Sequence, residues 1–209
     1  MNAIAQPVAA GPRLPLPRGP IGELLLERLA LPPHALPGPP AVTDGDPLAD
    51  DDLQLALYVL YELHYRGFAG VDPAWEWEPS LIAFRGALER ELEAALRAAV
   101  PVERAGDVPA QLQAILDSAD GPSLSRHLET RATLDQFREF LVHRSAYQLK
   151  EADPHSWAIP RLSGRAKVAL VEVQFDEYGA GRAERQHARL FADAMEALGS
   201  MRATARTST

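Results

Sequence analysis

The chain has no cysteine among its 209 residues. That excludes disulfides, thiolate metal sites and cysteine nucleophiles, and it leaves the redox compartment open. No apolar run approaches the length of a membrane span, and residues 1–10 lack the charged start and long apolar core of a signal peptide. The cytoplasm is therefore the expected location. A basic face is also missing. The net charge of −8 argues against nucleic acid as a partner, and beyond that its moderate acidity favours solubility. No stretch alternates with period two for long enough to form a strand, and there is no internal repeat. A Gly-x-Ser-x-Gly elbow is absent. Neither Ser163-Gly164 nor the turn Gly179-Ala-Gly181 follows a strand, as a phosphate-binding loop would.

What is present reads as helix. Apolar residues make up 46% and charged residues 24% of the chain, ordinary values for a globular protein. Residues 1–48 are expected to be a Pro-rich, mostly disordered segment carrying one short amphipathic helix, 22–30, as a docking arm. Six prolines in the seventeen positions 31–47 are too many for a helix interior. A helical domain is expected over 49–198, followed by a disordered tail, 199–209, without apolar periodicity. Asp50, Asp51 and Asp52 can cap and charge a helix running to about Phe68. Trp75 and Trp77 lie in a turn-like connection covering the core edge. Pro79 suits the first turn of a helix that carries Leu81, Phe84, Leu88, Leu92 and Leu96 at helical spacing. Shorter helices follow over 109–118 and 123–130. Thr133-x-x-Gln136 reads as a capping box opening a helix to about Glu151. Asp153-Pro154 and Ile159-Pro160 break the chain before two final helices. The fold class is all-α.

Those two helices carry the most informative stretch, Val168-Ala-Leu-Val-Glu-Val-Gln-Phe-Asp-Glu-Tyr-Gly179 followed by His187. Stepping 100° per residue, Glu177 falls between Leu170 and Val173, and His187 between Ala194 and Leu198, near Phe191. A carboxylate and an imidazole are thus expected to point inward from consecutive helices, where burial is costly unless they pair or bind a metal. Carboxylate oxygen with imidazole nitrogen suits non-haem iron; the alternative is a plain Glu–His contact between packed helices. Glu172 and Asp176 share another face, as a solvated acidic stripe answered by Arg165 or Lys167. His64, within the arc of Leu53, Leu57, Leu60 and Phe68, reads as a satisfied core histidine, with Glu62 and Arg66 as an exposed ion pair; Tyr58, Tyr61 and Tyr65 surround that helix. His155 is expected to bond the backbone of its turn. No role is assigned to His34, His127 or His143.

Arg161-Leu-Ser-Gly-Arg-Ala-Lys-Val-Ala-Leu-Val-Glu-Val-Gln-Phe-Asp-Glu-Tyr-Gly-Ala-Gly181, then His187-Ala-Arg-Leu-Phe191, resembles the iron-containing redox enzymes of the haem-oxygenase-like superfamily, which are helical oxidases with a non-haem di-iron centre. Tyr61-Glu-Leu-His-Tyr-Arg-Gly-Phe68 and Asp153-Pro-His-Ser-Trp-Ala-Ile-Pro160 extend the likeness over roughly 53–198. The resemblance implies a haem-oxygenase-like bundle, with Glu177 and His187 as metal ligands for iron. It also implies dioxygen and a small organic molecule as substrates. The family pattern continues with a Glu and a His-x-x-x-Asp-x-x-His run on later helices. No His follows His187, so the domain is expected to be incomplete at its C-terminus. Two further readings stand beside this one. One is a metal-free helical remnant or interaction module that self-associates through an uncovered helical face. The other is a haem binder using His64 or His187.

Overall fold

The computed structural model describes residues 11–42, 45–100, 106–118 and 121–199. The expectations for residues 1–10 and for the tail from 200 onward fall outside them. The described residues are all-α: helices and single 3-10 turns joined by irregular segments, with no strand among them. This agrees with the expected all-α class. The chain divides into two compact units at Gly106 and Asp107.

The first unit holds α1 (Pro20–Leu29), α2 (Asp51–Glu62), a 3-10 turn (Pro73–Trp77) and α3 (Pro79–Ala99). The short helix expected as a docking arm is instead part of the core. Ile21, Leu25, Leu26 and Leu29 of α1 pack with Leu53, Leu57, Leu60, Leu81, Phe84 and Leu88. Each such side chain contributes roughly 1.5–3 kcal/mol through burial, which a four-residue apolar stripe gains only by docking. Trp75 is fully buried, and its indole N–H donates to the carbonyl of Leu31 at 2.9 Å, fastening the Pro-rich segment to the unit. Trp77 does not cover the core edge; it is exposed and meets the His64 ring edge-on at 5.1 Å.

The acidic triplet does more than open α2. Asp50 is its N-cap, accepting from the Leu53 N–H at 2.8 Å. Asp52 is buried and reaches back to α1, accepting from Ile21 N–H at 2.7 Å and Gly22 N–H at 2.8 Å. These are two of the donors that the first turn of a helix leaves without partners, and Gly19 ahead of α1 offers no side chain to take them. The α2 helix ends at Glu62, short of Phe68, and Glu62 is buried, not exposed as expected. Beyond that end, His64 sits between Glu76, at 3.2 Å from Nδ1, and the Arg85 guanidinium at Nε2, so it is a satisfied histidine. Arg85 also pairs with Glu89 at 3.1 Å and lies over the Tyr61 ring.

The second unit holds α4 (Val108–Asp117), α5 (Leu124–Thr130), α6 (Leu134–Gln148), α7 (Gly164–Glu177) and α8 (His187–Ala197), with 3-10 turns at Pro154–Trp157, Ile159–Arg161, Gly179–Gly181 and Ala183–Arg185. Thr133 and Gln136 form a capping box at the start of α6. The α6 and α8 helices pack together, burying Leu141 and Ser145 on one and Ala192 and Met195 on the other. Arg138 of α6 donates to the Leu198 carbonyl at 2.8 Å, closing the last turn of α8. Burial in this unit is sparse. Leu112, Ile115, Leu116, Val168 and Phe175 are all exposed.

Two outcomes follow for the first unit. Asp52→Ala leaves two buried N–H groups without acceptors and is expected to destabilise the chain by about 1–3 kcal/mol, measured by urea denaturation, with Asp51→Ala, at an exposed neighbour, within about 0.5 kcal/mol of the parent. Burial, then the hydrogen bond to Glu89, pushes the Tyr61 phenol up to about 12. Because the fold holds this proton more tightly than the unfolded chain does, its stabilisation is complete below about pH 10. It is lost as pH rises towards about 12. A phenolate absorbance titration should show a late step that Tyr61→Phe removes.

Candidate metal centre

The residues after α7 decide where its last side chain ends up. Tyr178 caps the helix, and then Gly179, Ala180 and Gly181 all take left-handed backbone conformations, with φ of 66°, 53° and 77°. Glycine adopts such angles freely, whereas any other residue is strained there. A Cβ on Gly179 would also stand 2.5 Å from the Arg185 carbonyl carbon and 2.7 Å from the Gln186 nitrogen. The reversal is therefore tight enough to fold residues 185–186 back onto the end of α7. That return delivers His187, the first residue of α8, to Glu177, the last residue of α7.

The two residues singled out in the sequence meet. His187 Nδ1 lies 3.0 Å from Glu177 Oε2, with side-chain exposures of 48% and 18%. They are not both inward. The packed face of α8 is centred on Ala192 and Met195, so His187 lies at its margin and is exposed, while Glu177 is half-buried. Val173, expected to flank Glu177 inside, is 48% exposed. The expectation assumed two fully covered helices, whereas α7 and α8 are each covered on one side only. Glu177 also stands beside the N-terminus of α8, whose unpaired N–H groups favour a carboxylate.

A second set of contacts holds α7 in place. Gln174 is its one buried residue. Its amide donates to the Ala152 carbonyl at 2.9 Å and to Ser156 Oγ at 3.1 Å, and its oxygen lies 3.2 Å from His155 Nδ1. His155 thus bonds a side chain rather than its own turn's backbone. The Tyr178 hydroxyl donates to Asp153 at 2.8 Å, and burial followed by that bond pushes its phenol up. The Asp153-Pro-His-Ser-Trp turn and the Gln-Phe-Asp-Glu-Tyr run are thereby one structural piece. The sequence does not single out Gln174, which shares its helix face with the charged Lys167 and Glu177 as well as with Leu170 and Tyr178.

Glu177, Gln186 and Ala188 share a hollow with residues 148–153, enclosing roughly 30 Å³. That is space for a water or a single ion, too small for an organic molecule. Its wall brings Glu151 and Asp153 near the pair, but both are engaged: Asp153 by Tyr178, and Glu151 by Gln148 and by the Tyr147 phenol, which that bond pushes up. Glu172 and Asp176 are exposed and take no part. Among the described residues no group of three or more His, Cys, Asp or Glu side chains is placed to hold a metal ion. The pair has the oxygen and nitrogen donors that suit iron, and its 3.0 Å separation is that of a hydrogen bond. It supplies two positions and no more.

Residues 138–209 match the model of a family described as iron-containing redox enzyme, the family that the sequence resembles. The matched stretch contains α7, the glycine turn and His187. The likeness suggested for 61–68 lies outside it. No curated protein and no solved structure matches the chain.

Gly179→Ala is expected to separate the pair. The left-handed angle together with the clash on residues 185–186 should cost about 1–3 kcal/mol or more, seen as a lower thermal midpoint. Gly181→Ala, where a Cβ meets open space, should cost less.

Proposed function

From the match of residues 138–209 to an iron-containing redox family, we propose that this chain is a non-haem iron redox protein in which Glu177 and His187 are iron ligands. The observation that carries the reading is their 3.0 Å approach across a turn that left-handed glycines impose. A half-exposed ion pair of this kind stabilises a fold by about 0–1 kcal/mol. Stability alone therefore gives little reason for so constrained a turn, and a shared ligand would. The carboxylate would neutralise charge and the imidazole would contribute a nitrogen donor. Iron bound there would supply dioxygen activation for oxidising a small organic substrate, and by the family resemblance a complete site would hold two irons. In the metal-free chain Glu177 holds the His187 ring in one orientation, and Gln174 and Tyr178 hold the helix that carries Glu177.

A second reading is favoured by one specific observation: the described residues offer two ligands and no three-ligand group. On that reading the chain is a metal-free helical module that keeps the motif without the activity. No helix among the described residues is long and apolar enough to cross a membrane, and neither reading requires one.

An anaerobic ferrous titration of the purified chain separates the two. The iron reading predicts stoichiometric binding that Glu177→Ala and His187→Ala each remove, while both variants unfold within about 1 kcal/mol of the parent. Binding no different from that of the variants would leave the metal-free reading.

A further inference from the structure

The α7 helix is covered along Gln174 and open along another line. Val168, Val171 and Phe175 recur at intervals of three and four residues, with exposures of 68%, 44% and 60%. Gly164 falls on the same line one turn earlier, and a Cβ built there meets nothing within 4 Å. This is the spacing of a seam between two helices, and its narrow end is a vacant glycine position facing the end that carries Phe175.

Charge runs along one flank of the seam. Arg165 lies at the N-terminal end, and Glu172 and Asp176 lie towards the C-terminal end. All three are exposed. No side-chain ion pair or side-chain hydrogen bond among the described residues involves them, or Lys167. The answering of the acidic stripe by Arg165 or Lys167, expected from the sequence, therefore does not occur among the described residues. A helix with a cation at one end of a flank and anions at the other complements itself when reversed.

We propose that α7 is a self-association surface, which pairs antiparallel with α7 of a second copy about a two-fold axis. In that register Val168 of each copy packs on Val171 of the other, and each Phe175 ring covers the other's Gly164. Each Arg165 then faces Glu172 of the second copy, with Asp176 one turn further on. The interface is isologous, so every contact occurs twice. A seam along one 14-residue helix is small by the standards of permanent dimers, so the dissociation constant should be on the order of tens of micromolar. This pairing does not depend on iron, because Glu177 lies about half a turn of the helix away from the seam.

Sedimentation velocity of the full chain across low to high micromolar concentration tests it. The expected result is a monomer–dimer equilibrium that Phe175→Glu shifts to monomer at every concentration. Arg165→Glu and Glu172→Arg should each do the same, since each sets like charges opposite one another. Mixing those two variants should restore the dimer, because both cross-pairs then become complementary. The substituted residues are exposed, and unchanged circular dichroism would show that the fold is kept. A chain that remains monomeric throughout would overturn the proposal and leave the face to a different protein. Open-ended aggregation, or dimers indifferent to Phe175→Glu or not recovered in the mixture, would overturn it equally.

Discussion

Three consecutive left-handed residues, Gly179, Ala180 and Gly181, are the constraint on which the candidate site depends. A helix that ended in the ordinary way would carry the chain off in many directions. Here residues 185–186 come back so closely that a single methyl group on Gly179 has no room. Positions ten apart in sequence are thereby brought within hydrogen-bonding distance. The strain of a non-glycine residue in that region, about 1–3 kcal/mol at Ala180, is carried by the bonds that anchor α7 through Gln174 and Tyr178.

The two units solve their packing differently. In the first, apolar stripes on α1, α2 and α3 close over one another, with buried Asp52 joining two of the helices through charge-assisted hydrogen bonds. In the second, the buried apolar side chains among the described residues are few, and several large ones face outward. The candidate metal centre stands in this sparsely covered unit. The Glu177–His187 pair is accessible to a small ion, and the hollow beside it admits little else. Glu177 and the uncovered face of α7 occur on one helix but on different sides of it.

Much of the helical layout was legible in the sequence, because it rests on local rules. Pro79 at the first turn of α3, the Thr133–Gln136 box before α6 and the glycine after α7 all announce helix ends through backbone chemistry. The approach of Glu177 and His187 was legible through the motif they share. What could not be read was tertiary. The docking of α1 depends on which partner its stripe meets, and the role of Asp52 depends on a helix thirty residues upstream. The exposed position of His187 follows from how little of α8 is covered. Periodicity shows which face is apolar, and it does not show whether anything packs against that face. The clearest example is the line of Val168, Val171 and Phe175, apolar in sequence and open in the structure.

The most direct test of the central claim is a crystal of the chain grown anaerobically with ferrous iron, with an anomalous difference map recorded at the iron absorption edge. The account predicts a peak within about 2.3 Å of both the Glu177 carboxylate and a ring nitrogen of His187. Iron elsewhere, or a well-ordered Glu177–His187 pair with no peak beside it, would contradict it.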